Sequence, residues 1–407
     1  MTTSEPPQEV IFAWTYDQWG GAEVQFLHLA RHAPPGWTVN VIAPVSVDAG
    51  FRAEWDAVAA VWRLLPRTSD LGRRSSWFGP IGRRIRELRV GNSLVAAQKL
   101  LEGGNPVHLD VPIWLSMFAV YRIARRRPIV LTWHTPMPRL TPLRRLLTLS
   151  KLRCIGRISG VNIVGASDTA RVDAMHWFGA DAVADFVGVA GFDPDEIETA
   201  SNSARGDVGP GLRLVGVGAL TARKGIDVAI ESVALLVDRG IDVRLTWCGR
   251  GPEREQLEGL ADRLGVADRV QIRSDESTSG HRQRLLETVA ASDIYVQPSR
   301  IDGLPLAILE AMAMGRAVVA TRVGAIGELD DGNGSIELVE SDDAHGLAET
   351  IERLAGDELG RREIGERGQA LVRARYDMRT AAPDFYRWLE HLGQSGSSCR
   401  SRRRCRS

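Results

Sequence analysis

Short apolar runs alternate with helix-length segments along most of this chain, and they do so in two separate series. Val10–Trp14, Trp37–Ala43, Val61–Leu65, Pro106–Leu109, Ile129–Thr132 and Val161–Gly165 make the first series. Leu212–Val217, Val243–Trp247, Val270–Ile272, Ile294–Gln297, Val318–Thr321 and Ile336–Val339 make the second. A run that is apolar throughout is buried on both faces when it forms a strand, and helices on both sides of a parallel sheet provide that burial. Between the runs, Ile226–Val237 carries apolar residues at helical spacing and stops before Gly240, while Pro252 opens a helix that stops at Gly265. The pattern is α/β, with two Rossmann-like βαβ domains in succession.

A chain of 407 residues is long enough to give each domain its own core. We read residues 1–190 as the first domain, 191–211 as a linker rich in turn residues from Ser201 onward, and 212–378 as the second domain. Residues 379–394, with Phe385, Tyr386 and Trp388, form a helix, and the Ser/Arg tail 395–407 is expected to be disordered. The net charge of zero hides an asymmetry: residues 1–190 hold 22 Lys and Arg against 15 Asp and Glu, and residues 191–394 hold 24 against 36. Opposite charge on the two halves points to different partners for them.

The start, Met1-Thr2-Thr3-Ser4-Glu5-Pro6-Pro7, lacks the features of a secretory signal, and the longest apolar stretch, Val111–Tyr121, is too short to span a bilayer. A cytoplasmic location is the expectation. Cys154, Cys248, Cys399 and Cys405 have no metal-binding spacing, so neither a structural zinc nor a disulfide is expected. Two basic stretches, Arg73–Arg86 and Pro138–Arg157, are solvated faces or sites for an anionic acceptor or membrane surface.

The residues with chemistry cluster after the apolar runs. Asp302 and Glu310 stand eight residues apart, the first in the loop Pro298–Pro305 and the second about one turn inside a helix that begins at Leu306 and closes at Gly315. Glu310 lies among Ile308, Leu309, Ala311 and Met312, where a carboxylate needs a partner, and a ribose diol suits it. The free amides at that helix start favour phosphate. Lys224, one of three lysines beside 48 arginines, follows Arg223 in a loop between a strand and a helix. Two cations and backbone amides are what a diphosphate leaving group requires as its charge grows. Gly216-Val217-Gly218 lacks the third glycine of a dinucleotide fingerprint, which counts against NAD.

The stretch Pro298–Gly315 resembles the Glu-x7-Glu signature of retaining GT-B glycosyltransferases of family 4 (glycosyl transferases group 1), with Asp302 in place of the first Glu. Four further segments resemble that family in order. Trp19-Gly20-Gly21-Ala22-Glu23 is similar to its Gly-Gly loop, and Trp133-His134-Thr135-Pro136 to its His loop. Gly218–Gly225 looks like its diphosphate loop, although many relatives carry Arg where this chain has Ala219; Cys248–Pro252 looks like its base-binding turn.

The resemblance implies a GT-B fold of two domains facing a cleft, and a retaining, metal-independent transfer of a hexosyl group from an NDP-sugar to an acceptor hydroxyl. It implies His134 and Asp302 at the sugar, Arg223 and Lys224 at the diphosphate, and Gly20, Gly21, Gly218, Gly249, Arg250, Gly303, Leu304 and Glu310 around the donor. Glu23 reads as a residue that favours its helix N-terminus. No cofactor and no nucleic acid are expected; the acceptor is open among lipid, polysaccharide and small metabolite. A sugar-nucleotide 2-epimerase and a non-catalytic sugar-nucleotide-binding protein are the alternatives.

Overall fold

A computed structural model of the chain describes residues 8–15, 20–47, 49–65, 92–97, 106–109, 117–137, 140–187, 189–204, 211–274 and 280–404. The basic stretch 73–86, Trp19, Pro138 and Arg139 lie outside the described residues. The chain divides into two compact units, Met1–Val189 with Arg379–Ser407, and Ala190–Met378.

The first unit holds β1 (Gln8–Ala13), β2 (Trp37–Pro44), β3 (Val61–Leu65), β4 (Val107–Leu109), β5 (Ile129–Trp133), β6 (Val161–Gly165) and β7 (Val183–Val187). They pair in parallel in the order β3-β2-β1-β4-β5-β6-β7. The apolar runs of the sequence lie in β1 to β6. The edge strand β7 was not foreseen, because Asp185 interrupts a short run. Its helices include α1 (Gly21–Arg31), α2 (Ala49–Asp56), α3 (Met117–Ala124), α4 (Pro142–Gly156) and α5 (Asp168–Phe178).

The second unit begins with α6 (Pro194–Ser203) and repeats the architecture with β8 (Leu212–Val217), β9 (Val243–Cys248), β10 (Val270–Arg273), β11 (Ile294–Gln297), β12 (Ala317–Thr321) and β13 (Glu337–Val339). These strands are again parallel, in the order β10-β9-β8-β11-β12-β13. Its remaining helices are α7 (Ile226–Asp238), α8 (Arg254–Arg263), α9 (His281–Ala290), α10 (Leu306–Ala313), α11 (Ala344–Ala355) and α12 (Glu358–Tyr376). In both sheets the order reverses beside the first strand, and that switch point is where open α/β sheets place ligands.

Helix α6 corrects the linker reading of 191–211. Asp193 caps it by accepting from the Asp195 N–H at 3.1 Å, and Pro194 sits in its first turn, so the start signal was present in a polar segment. The chain enters and leaves this unit side by side: Phe192 N donates to Tyr376 O and Met378 N to Phe192 O.

The final helix α13 (Met378–Arg404) belongs, from Arg379, to the first unit. Its buried Tyr386 hydroxyl donates to the Leu29 carbonyl at 3.0 Å, and the Phe385 ring lies 5.2 Å from His108. The helical backbone reaches Arg404, so residues expected to lack structure from 395 onward continue the helix. Arginine is a good helix former, and no proline follows Pro383.

Candidate functional site

In the second unit, two loops meet at the switch point between β8 and β11. The loop after β8 ends in a short 3-10 turn, Ala222–Lys224, and Gly225 turns the chain into α7 with φ +63°. A side chain at Gly225 would collide with the Pro298 carbonyl, so glycine is needed both for the left-handed backbone and for the approach of the two loops. Arg300 bolts them together. Its N–H donates to Arg223 O at 2.8 Å, its guanidinium reaches Ala222 O at 2.7 Å, and it grips Asp227 through two bonds of 2.9 and 2.7 Å. Arg300 carried no sequence signal, because its partners Ala222, Arg223, Asp227 and Asp342 lie 42 or more residues away.

This junction brings Arg223, Lys224 and Asp302 together. The Lys224 ammonium lies 2.5 Å from Asp302 Oδ2, and an Arg223 guanidinium nitrogen lies 3.5 Å from Oδ1. Lys224 and Asp302 are buried, while Arg223 is exposed. Burial pushes the Lys224 pKa down, and the Asp302 charge and hydrogen bond pull it partly back. Asp302 is itself held by a buried relay. Tyr295 OH donates to Gln297 Oε1 at 2.7 Å, Gln297 Nε2 donates to Ser299 Oγ at 2.8 Å, and Ser299 Oγ donates to Asp302 Oδ2 at 3.0 Å. The shorter Asp side chain therefore faces the cations, and it also accepts from the Gly303 N–H at 3.2 Å. Leu304 is buried beside it.

The glycines of the loops after β8 and β9 set a close approach. A side chain at Gly249 would strike the Gly218 carbonyl, which already accepts from Trp247 Nε1 at 3.0 Å. Arg250 is exposed, and its carbonyl accepts from Leu220 N at 2.8 Å. These contacts leave the two loop backbones stacked at the strand ends.

Glu310 sits in the second turn of α10 and is only 2% exposed. Its partner is Arg282 near the start of α9, whose Nη2 donates to Glu310 Oε1 at 2.5 Å; the same guanidinium donates from Nε to Glu196 Oε2 at 2.7 Å. Burial opposes the Arg282 charge, but Glu196 and Glu310 outweigh it and hold its pKa above the ordinary value. Neither Glu196 nor Arg282 carried a sequence signal.

In the first unit, His134 follows β5 and is half-buried, with a ring Nε2 that is itself buried and has no hydrogen-bond partner among the described residues. Burial pushes its pKa down to about 4, so the ring is neutral at ordinary pH. Asp173 on α5 secures the loop around it. Its carboxylate accepts from Trp133 Nε1 at 2.7 Å, Trp177 Nε1 at 3.2 Å and Met137 N at 3.3 Å. His108 on β4 is fully buried among Phe12, Phe26 and Phe385, and its Nε2 shares a 2.5 Å bond with Thr132 Oγ1. Its pKa also lies well below the ordinary value, through burial first and His134 second. Gly20 and Gly21 open α1; the Gly20 N–H donates to Glu23 Oε2 at 2.8 Å, so Glu23 closes the helix start.

The chain's one Asp-x-Asp, Asp193-Pro194-Asp195, forms the cap of α6.

Two successive Rossmann-like parallel sheets, each reversing its strand order beside its first strand, make a GT-B architecture. The family model described as Glycosyl transferases group 1 matches residues 211–357. The chain is 29% identical over 399 residues to the phosphatidyl-myo-inositol mannosyltransferase of Mycobacterium leprae, covering 95% of this chain and 97% of that protein. It is 33% identical over 178 residues to the alpha-D-kanosaminyltransferase of Streptomyces kanamyceticus, a match that spans 45% of that protein's length. Among solved structures, HepE of Anabaena, crystallised with UDP and glucose, superposes with a TM-score of 0.72 at 18% identity, covering 94% of this chain and 99% of that one. Sucrose-phosphate synthase of Thermosynechococcus elongatus superposes with a TM-score of 0.73 at 18% identity, covering 95% and 100%. Residues 211–357 of the chain thus resemble the group 1 glycosyltransferases, and the chain as a whole has the GT-B fold.

Proposed function

We propose that this protein transfers a hexosyl group from an NDP-sugar to an acceptor hydroxyl with retention of configuration and without a metal. One observation carries the reading: Arg223, Lys224 and Asp302 converge at the β8/β11 switch point, with Glu310 one helix turn beyond. The diphosphate is held by Arg223, Lys224 and the start of α10, which supply the positive charge that a metal supplies elsewhere. The ribose diol meets Glu310, and the base lies at the Gly249–Gly251 turn. Asp302 acts by aiming and charging Lys224, and the neutral His134 ring has the chemistry to meet sugar hydroxyls. The HepE complex with UDP-glucose and relatives named as mannosyl- and kanosaminyltransferases support an NDP-hexose donor.

On the acceptor side, α3 and α4 expose Phe118, Tyr121, Leu143, Leu146 and Leu147 beside Arg122, Arg125, Arg144 and Arg145. That mixture suits an acceptor with anionic and apolar parts, and with it peripheral contact with a cytoplasmic membrane face. Among the described residues no helix is long and apolar enough to cross a membrane. Sedimentation with anionic but not neutral vesicles is the expected behaviour, and equal sedimentation with both removes the membrane contact.

The test of the donor site is thermal shift with UDP, GDP, dTDP and NAD⁺ in EDTA, on wild-type protein and Glu310→Ala. We expect one NDP to stabilise the wild type, and Glu310→Ala to weaken its binding by about 1.5–3 kcal/mol. No shift with any NDP, or a shift with NAD⁺ alone, defeats the reading. Donor conversion without acceptor consumption would mark an epimerase instead.

A further inference from the structure

Arg282 joins three helices of the second unit. Glu196 comes from the first turn of α6, Arg282 from the first turn of α9 and Glu310 from α10, and the guanidinium lies within 2.7 Å of both carboxylates. All three side chains are largely buried: Glu196 is 14% exposed, Arg282 8% and Glu310 2%. A lone carboxylate at the Glu310 position, between Leu309 and Ala311, would be costly to bury without a cation or hydrogen-bond donors beside it. One arginine opposite one glutamate would offset that cost but cancel the charge. Here two glutamates share one arginine. Arg282 engages Oε1 of Glu310, so the lone pairs of Oε2 are what a pair of neighbouring hydroxyls would use. The planar guanidinium also fixes the direction of the carboxylate, which a lysine, as a point charge, does not do.

We propose that Arg282 is a positioning residue for nucleotide recognition: by tying Glu310 to Glu196 it sets the Glu310 carboxylate toward the two ribose hydroxyls. The proposal rests on the donor reading above. It assigns Glu196, on a helix 86 residues from Arg282 in sequence, to the same function. The consequence is a preference for ribose over 2′-deoxyribose that depends on Arg282, although Arg282 touches no nucleotide.

The experiment is calorimetric titration with matched pairs, UDP with 2′-deoxy-UDP and GDP with 2′-deoxy-GDP, on wild type, Arg282→Lys and Glu196→Gln, each first shown to melt cooperatively. Wild-type protein should prefer the ribonucleotide by about tenfold, the worth of one charge-assisted hydrogen bond. Arg282→Lys should bring that ratio close to one by weakening the ribonucleotide, with the deoxynucleotide affinity unchanged, and Glu196→Gln should lower it partway. A ratio equal to that of wild type in either variant overturns the proposal. A uniform loss on both nucleotides also overturns it, because that is what a merely structural arginine would give. Wild-type protein that binds neither member of either pair, nor dTDP, overturns the donor reading itself, a result that the Arg282 variants cannot imitate; wild-type protein that binds dTDP alone overturns the Arg282 proposal, because that nucleotide has no 2′-hydroxyl.

Discussion

The two units share a strand order and treat buried polarity in opposite ways. At the second unit's switch point, charge is matched with charge: Lys224 with Asp302, Arg282 with Glu196 and Glu310, Arg300 with Asp227. In the first unit, His108 and His134 meet burial by remaining neutral, their pKa values held down by the loss of water. The difference follows the proposed ligands. A diphosphate brings charge that needs a preorganised counter-charge, whereas sugar hydroxyls need neutral donors and acceptors.

Breaking the charge matching should have the largest effect. Arg282→Leu removes the buried guanidinium that Glu310 and Glu196 share and should lower stability by about 3–5 kcal/mol, read from urea unfolding. A midpoint unchanged from wild type would show that the triad is not dry. Lys224→Ala should lower kcat by about 10²–10³ with a smaller change in KM, since its interaction grows as the diphosphate departs; an unchanged kcat places the leaving group elsewhere.

A finer test separates Asp302 as a charge partner of Lys224 from Asp302 as a sugar ligand. Burial already pushes the Lys224 pKa down and Asp302 opposes it. In Asp302→Asn the ammonium should lose its proton at lower pH, so the alkaline limb of the kcat profile moves down; a limb that stays in place argues for the sugar role.

The smallest effect belongs to the first unit. Its two histidines have folded pKa values below the unfolded value of 6.5, with His134 at about 4. The unfolded chain therefore binds more protons in that range, and stability is present above pH 6.5 and lost as pH falls toward 4. The slope is at most about 1.4 kcal/mol per pH unit for each histidine. Urea midpoints from pH 7.5 to 4.5 should show this loss in wild type and less of it in His108→Gln. Equal slopes in the two proteins would mean that His108 titrates freely in the fold.

Much of the second unit was legible in the sequence, because its signals are local. Strand β11, its loop and helix α10 fall within residues 294–313, and the apolar run, Pro305 and Gly315 mark their ends. The glycines that let Gly225 meet Pro298 and Gly249 meet Gly218 stood out for the same reason. Edge strand β7 and helix α6 were missed, since an edge strand carries a polar interruption and a polar helix carries little periodicity.

By itself, the sequence determined the two βαβ series, the positions of Arg223, Lys224 and His134 after strand ends and of Glu310 inside a helix, and the glycines those loops need. Local periodicity and turn chemistry act over a few residues, and a linear reading captures them. Only the tertiary structure decided what each charge faces. Asp302 turns to Lys224 from 78 residues away, Glu310 to Arg282, and Arg282 to Glu196. Ion pairing of that kind depends on which helix N-terminus and which strand end the sheet order brings together, and no spacing along the chain encodes it.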